Sequence, residues 1–184
     1  MRVMMTIALT AAMSQATPGP PPFKASANPV SDAVRAAAAR SSTNLVASAE
    51  SMPADKYGYH PTEPQMTFGQ LMVHIVQTNV ALCSAISGGA APMTPDELRK
   101  MAGTDAKDAL VGAVRRSFDY CKEAVAKVTD AQLGEEVSMF GRPTGQSRAA
   151  TMLAIANDWA DHYSTAASYL RQNGILPPTA QPKK

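Results

Sequence analysis

The chain has 184 residues, of which 45% are apolar and 17% are charged, and its formal net charge is +2. This length predicts one domain with additional segments. The small net charge, the lack of a basic run before Lys183 and Lys184 and the 5% aromatic content argue against a nucleic-acid partner.

The first residues have the pattern of a secretory signal peptide, predicted over residues 1–16. Arg2 gives a short positive region, residues 3–13 form an apolar stretch that is too short to span a bilayer, and residues 14–16 offer small side chains for cleavage. We therefore expect a periplasmic or secreted protein, with a cytoplasmic location as the alternative, and no integral membrane segment in the mature chain. Residues 17–30 form a proline-rich linker.

Two amphipathic helices are predicted in the first half of the domain. Ser31 is a suitable N-cap for the first helix, which Pro53 ends. A turn-rich connection with three prolines follows, and Thr67 caps the second helix. Gly88 and its neighbouring glycine end that helix.

Two further helices are predicted in the second half. The third runs from residue 104 to about residue 128, and the fourth runs from about residue 148 to 173 with Gly174 at its C′ position. A short helix is predicted in the connection before the third helix, and a hairpin-like excursion in the irregular connection between the third and fourth helices. No segment sustains the alternation of apolar and polar residues that identifies a strand. We therefore predict an all-α four-helix bundle over residues 31–178, with long connections between helices and a tail over residues 179–184.

Two cysteines, Cys83 and Cys121, fall within the predicted second and third helices. In an oxidising compartment such a pair predicts one disulfide that joins two helices, whereas in the cytosol it predicts two buried thiols. Spacing alone leaves both states open, because it does not show how close the two Cα atoms come.

Three side chains on predicted core stripes have metal-binding chemistry. Asp158 and His162 are four residues apart on the fourth helix, so both can reach one point, and His74 lies on the inward stripe of the second helix. Facing helices of a bundle commonly build metal sites, and two imidazoles with one carboxylate suit a divalent ion. The alternative is that both histidines are ordinary core residues and that Asp158 orients His162 or reaches solvent.

The chain resembles the DinB-like superfamily of bacterial four-helix-bundle proteins over nearly all of residues 31–178. The stretches that carry the resemblance are SAESMPADKYGYHPT, TFGQLMVHIVQTNVALCSAISG, SFDYCKEAV and DWADHYSTAASYLRQNGILPP. Members place one histidine in the second helix and two, four residues apart, in the fourth, and these three bind a divalent metal, often nickel or zinc. His74 and His162 match the first and the third of these, whereas Asp158 stands in place of the middle histidine.

The resemblance therefore implies a divalent-metal site made by His74, Asp158 and His162. Zinc or nickel is the expected metal, and the carboxylate also admits iron or manganese. The same replacement leaves open a degenerate, empty site. Asp161 and Tyr163, which flank His162, and Gln70, one turn before His74, are candidates for orienting a ligand or a water; for the first two, a solvated helix face and a packing role are the alternatives.

The functional expectation follows from the open position that three protein ligands leave on a divalent ion, where water or a thiol is activated. Some members of the superfamily are S-transferases that use a low-molecular-weight thiol. We therefore expect a small-molecule substrate and hydrolase- or S-transferase-like chemistry, although export counts against a cytosolic thiol. A non-catalytic binding or stress scaffold is the alternative, and a homodimer is compatible with both.

Overall fold

A computed structural model of the chain describes residues 24–182; the predicted signal segment, residues 1–16, lies outside this range. Within the described part the chain forms five α-helices, three single-turn 3-10 helices and one antiparallel hairpin. In chain order the α-helices and strands are α1 (Pro29–Ser51), α2 (Phe68–Ser87), α3 (Pro95–Lys100), α4 (Lys107–Ala126), β1 (Glu136–Met139), β2 (Arg142–Ser147) and α5 (Arg148–Gln172). The four long helices are the predicted bundle, and α3 and the hairpin lie in its connections.

The bundle places α1 and α2 on opposite corners. Both of these helices pack against α4 and α5. The chain must therefore cross the bundle between α1 and α2 and again between α4 and α5, which accounts for the long connections over residues 52–67 and 127–147.

Contacts at the two ends of the bundle give the helix directions. The start of α1 meets the end of α4, because the Ser31 amide donates to Asp130 at 2.9 Å. The end of α5 meets the start of α2, because the Tyr169 hydroxyl donates to the Met66 carbonyl at 2.9 Å. At the other end of the same pair, Arg148 donates to the Ile86 carbonyl. Hence α2 runs antiparallel to α5, and α1 runs antiparallel to α4.

The prediction that Ser31 caps the first helix is wrong. The helix begins at Pro29, with Asn28 at the N-cap position, and Ser31 is buried inside it. The Asp130 carboxylate accepts hydrogen bonds from the amides of Val30 and Ser31, at 3.0 and 2.9 Å. A proline in the first turn needs no partner for its nitrogen. The free amides at the start of α1 thus find their acceptor in Asp130, which is remote in sequence, and local spacing does not reveal such a partner.

Three other predicted helix ends are confirmed. Thr67 forms a capping box with Gln70 at the start of α2, and Gly88 ends that helix in the left-handed conformation. After α5, Gly174 has a φ of 73° and the Ile175 amide donates to the Leu170 carbonyl, as in a Schellman motif.

The predicted third helix is longer than the observed α4. The helix begins at Lys107, because Asp105 accepts from the Ala102 amide and holds the preceding residues in a turn. It ends at Ala126, although the buried Val128 continues the apolar spacing beyond it. Apolar spacing therefore predicts too great a length for a helix whose adjoining turn also buries an apolar side chain.

The two cysteines form a disulfide that joins α2 to α4. Their Cα atoms lie 5.2 Å apart, and both side chains are fully buried. The sequence separation is 38 residues. Loop-closure entropy for a loop of this length corresponds to about 4 kcal/mol of stabilisation.

By length and composition, α2 is the one helix within residues 24–182 that could cross a membrane, and 61% of its most apolar window is buried inside the fold. A core helix of a globular bundle has the same properties.

Candidate metal centre

The structure brings His74, Asp158 and His162 together between α2 and α5. One potential ligand atom from each residue lies within 4.8 Å of those of the other two. Asp158 and His162 share a face of α5 because they are four residues apart, and the packing of α2 against α5 places His74 opposite them. All three side chains are partly buried, so the cluster is sheltered but reachable from solvent.

Each of the two imidazoles has one ring nitrogen without a strong hydrogen-bond partner. Their rings are stacked, with centroids 4.8 Å apart and an angle of 15° between planes. Nδ1 of His162 lies 2.6 Å from the Asp158 carbonyl oxygen, which can only accept, so in the neutral ring Nδ1 carries the proton and Nε2 carries the lone pair. The hydroxyl of Thr78 lies 3.5 Å from Nε2 of His74, at the outer limit of a hydrogen bond, so this nitrogen also lacks a strong partner.

Burial raises the pKa of the Asp158 carboxyl above its ordinary value of 3.8. The imidazoles of His162 and His74 act in the opposite direction when charged, and the nearby charge of Asp161 adds to the effect of burial. The carboxylate lies 3.6 Å from Nδ1 of His162, and this is its one ion-pair contact among the described residues. A half-buried carboxylate facing two imidazole nitrogens is the environment that a divalent cation would stabilise, so the donor set fits a metal ion.

The three predicted neighbours of the ligands have other contacts. Gln70 accepts from the Thr67 amide at 2.8 Å in the capping box of α2. The Tyr163 hydroxyl lies 2.7 Å from Oγ1 of Thr179, in the predicted tail, and accepts from its amide. Asp161 is exposed on the outer side of α5. Between residues 24 and 182, no hydrogen bond joins any of these three side chains to the candidate ligands.

A buried polar network next to the cluster was not predicted. Nε1 of Trp159 donates to Oδ1 of Asn79 at 2.6 Å, and Nδ2 of Asn79 donates to Oγ of Ser117 at 3.0 Å. All three side chains are fully buried. The network ties α5 to α2 and α2 to α4, and Trp159 directly follows Asp158. A lone tryptophan on a core stripe, whose N–H needs a partner, is the signal that would have indicated it.

A cleft of about 960 Å³ opens beside His74 at the end of the bundle where α2 begins. Its walls come from residues 54–67, residues 101–107 and the first turns of α2. Among the three candidate ligands only His74 lines this cleft, so Asp158 and His162 lie behind it. Two connections that are distant in sequence form the walls, which is why helical periodicity did not predict the cleft.

Two features hold the cleft walls in place. Gly69 and Gly103 approach so closely that a Cβ on Gly69 would lie 2.0 Å from the Gly103 carbonyl oxygen. On the other side, the ring of Tyr57 packs edge-on against Phe68 at 5.2 Å, and its hydroxyl donates to the Ala49 carbonyl. The walls are thus fixed to α2 and α1 by backbone contact and aromatic packing.

Comparisons with known proteins agree with this fold. A crystal structure of a DinB-like protein from Bacillus cereus has a TM-score of 0.63 and 16% identity, covering 80% of this chain and 95% of that one. A DinB-like protein from Bacillus subtilis has a TM-score of 0.60 and 20% identity, covering 82% and 99%. A structure of a mycothiol-dependent maleylpyruvate isomerase has a TM-score of 0.56 and 17% identity, covering 73% and 59%.

No curated protein sequence matches the chain. The sequence model of the DinB superfamily matches residues 37–166, which include α2, α4, most of α1 and α5 and all three candidate ligands. With this match over most of its length, the chain belongs to the DinB superfamily.

Proposed function

We propose that this protein is an exported DinB protein that binds a divalent metal ion through His74, Asp158 and His162 and acts on a small molecule. The observation that carries the proposal is the convergence of the three ligand atoms within 4.8 Å of one another. Two helices contribute to the set, so the bundle must be folded before the site exists.

The electrostatics of the cluster support the same proposal. Nε2 of His162 has its lone pair free because Nδ1 is bound to the Asp158 carbonyl. A neighbouring positive charge would stabilise the half-buried carboxylate of Asp158 and offset the free-energy cost of removing it from water. Zinc and nickel suit the imidazoles, and the carboxylate extends the range to iron and manganese.

A bound divalent ion would supply Lewis-acid activation of a substrate carbonyl or thiol. The chain's own residues hold the ion, and the partial burial of the cluster limits access of water. The isomerase among the structural neighbours is named as mycothiol-dependent. A thiol-dependent reaction is therefore a class to test beside hydrolysis, although the proposed export would separate the protein from cytosolic thiols.

The test is the metal content of the purified protein by elemental mass spectrometry after incubation with zinc, nickel, manganese or iron(II). We expect near-stoichiometric metal in the parent protein and loss in both His162→Ala and Asp158→Ala. Asp161→Ala is the matched control, because it removes an exposed aspartate from the same helix. A second control, His60→Ala, removes a histidine whose Nδ1 lies 2.9 Å from the Thr62 carbonyl in the loop. A metal-free parent protein, or equal loss in the controls, would move the function to a non-catalytic binding or scaffold role.

A further inference from the structure

We infer that Trp159 and Asn79 are positioning residues for the metal site, because their hydrogen bond fixes where α5 lies on α2. The inference rests on the proposed metal site and identifies what holds its two halves in place. Asp158 and His162 belong to α5, whereas His74 belongs to α2. The geometry of the site therefore depends on the contacts that fix one helix relative to the other.

The hydrogen bond between the two positioning residues lies close to the candidate ligands. Nε1 of Trp159 donates to Oδ1 of Asn79 at 2.6 Å. At the rise of an α-helix, His162 lies about 4.5 Å further along α5 than Trp159. By the same rise, His74 lies about 7.5 Å back along α2 from Asn79. Since the two helices are antiparallel, both displacements have the same direction, and the ligands meet directly beside the bond.

Asn79 is a fixed reference point because its side-chain amide is held at both ends. Its Nδ2 donates to Oγ of Ser117 at 3.0 Å, and the Ser117 hydroxyl donates to a backbone carbonyl of its own helix at 2.8 Å. This arrangement directs the Asn79 oxygen towards Trp159. One turn further along both helices, the disulfide joins α2 to α4 covalently. The two helices thus form a cross-linked pair, and the Trp159 bond locates α5 against that pair.

Burial makes the bond sensitive to the position of α5. Trp159, Asn79 and Ser117 are each 0% exposed. A fully buried side chain has no solvent at hand to replace a lost partner, so a rotation or shift of α5 that breaks the bond leaves polar groups unsatisfied. The network therefore favours one position of the helix that carries Asp158 and His162.

Two other hydrogen bonds that hold α5 in place lie nearer to its ends. Arg148 donates to the Ile86 carbonyl where α5 begins, and the Tyr169 hydroxyl donates to the Met66 carbonyl near its end. Counted along α5, Trp159 is nearer to both of the ligands on that helix than either of these residues is. Of these three bonds, the Trp159 bond is therefore the one that controls the separation between the α5 ligands and His74.

Loss of this bond should weaken metal binding. Asp158 and His162 move together when α5 shifts, and His74 stays behind on the cross-linked pair. Because a metal site needs its ligands held within about 0.5 Å of the productive geometry, such a shift lowers affinity. Trp159→Phe removes the indole N–H and keeps an aromatic ring beside Phe118. We expect it to weaken cobalt and zinc binding by about tenfold, the lower end of the effect of contacts that orient metal ligands.

The test is a cobalt(II) titration followed by the visible absorption of the bound ion, with the zinc affinity obtained by competition. Far-ultraviolet circular dichroism first establishes that each variant is folded. Asn79→Ala breaks the same bond from α2 and should reproduce the loss of affinity. Ser117→Ala is the matched control, because it removes a buried hydrogen bond of the same network and leaves the Trp159–Asn79 bond in place. It should lower stability while changing the metal affinity by less than about twofold.

The His74→Ala background adds a measurement that a loss of stability alone would not change. Without His74, the metal is held by Asp158 and His162 on a single helix, so the position of α5 no longer affects the distances between its ligands. Trp159→Phe should then cause no further loss of cobalt affinity, in contrast to its effect in the parent protein.

The outcomes separate this inference from the proposed metal site. A parent protein that binds no cobalt overturns the metal site and the positioning role with it. Cobalt bound with equal affinity by the parent and by Trp159→Phe overturns the positioning role alone. An equal loss of affinity in Trp159→Phe and Ser117→Ala, or an undiminished effect of Trp159→Phe in the His74→Ala background, does the same.

Discussion

Substituting Asn79 by alanine should destabilise the protein more than its loss of volume suggests. Asn79 is fully buried and connects Trp159 on α5 with Ser117 on α4. The substitution removes two hydrogen bonds, each worth about 1 kcal/mol net. It also leaves the Trp159 N–H buried without a partner, which costs about 1–3 kcal/mol. We therefore expect the free energy of unfolding to fall by about 3–5 kcal/mol.

The assay is urea denaturation followed by tryptophan fluorescence, which reports on this network because the chain has 1 tryptophan. We expect a lower midpoint with an unchanged slope, since the folded and unfolded states keep their surface areas. Thr43→Ala is the matched control: it removes an exposed hydroxyl that bonds only within α1 and should change stability by less than about 0.5 kcal/mol.

A double-mutant cycle isolates the central bond of the network. Trp159→Phe removes the indole N–H, so the cost of Asn79→Ala should be smaller in that background, with a coupling energy of about 1–2 kcal/mol. All four proteins of the cycle are followed by far-ultraviolet circular dichroism, because the Trp159→Phe proteins contain no tryptophan. An Asn79→Ala protein within about 0.5 kcal/mol of the parent, or a coupling near zero, would refute the reasoning that this network stabilises the packing of α2 against α4 and α5.

Three other predictions concern charge, covalent linkage and the ligand set. Burial acts to raise the pKa of the Asp130 carboxyl, but the hydrogen bonds from Ser31 and Val30 outweigh it and bring the pKa below 3.8. The stabilisation of the fold by the charged carboxylate is therefore present above pH 3.8 and is lost as the pH falls through the folded-state pKa. The melting temperature of Asp130→Asn should accordingly be lower than that of the parent at pH 7, and the difference should shrink in acid; a difference that stays constant down to pH 2.5 would contradict the capping role. Replacing both cysteines of the disulfide by alanine should lower the free energy of unfolding by about 2–5 kcal/mol in chemical denaturation, and an unchanged midpoint would show that the disulfide adds no stability. Asp158→Asn should raise the melting temperature of the metal-free protein at pH 7, because burial disfavours the charged carboxylate. The same substitution should abolish the rise in melting temperature that added zinc causes in the parent protein. A rise that is retained in Asp158→Asn would exclude Asp158 as a ligand.

Local signals in the sequence were sufficient for the bundle and for most helix ends. Thr67, Gly88 and Gly174 act through contacts within a few residues, so their roles can be read from spacing. The prediction for Ser31 failed because Asp130, a residue remote in sequence, satisfies the start of α1. Apolar periodicity also overestimated α4, where Val128 is buried in a turn.

The hairpin illustrates another limit of periodicity. Of β1 and β2 only Val137 is buried, so the strands lack the alternation that identifies a half-buried sheet. Their turn depends on the positive φ angles of Phe140 and Gly141, and phenylalanine is a poor indicator of such a conformation. The turn was therefore predictable only as an irregular excursion.

Helical spacing could place the candidate ligands but not their surroundings. The separation of four residues puts Asp158 and His162 on one face, and the inward stripe of the second helix indicates His74. The structure adds the tautomer of His162, which depends on a backbone carbonyl, and the cleft, which depends on the close approach of Gly69 and Gly103. These features arise from tertiary packing.

The most direct measurement of the central claim is a crystal structure of the zinc-incubated protein with anomalous data recorded at the zinc edge. The account predicts one strong anomalous peak between α2 and α5, about 2.0–2.2 Å from a nitrogen of His74, a nitrogen of His162 and a carboxylate oxygen of Asp158. A peak bound to other residues, or no peak in this cluster at saturating zinc, would contradict the assignment of His74, Asp158 and His162 as a metal site.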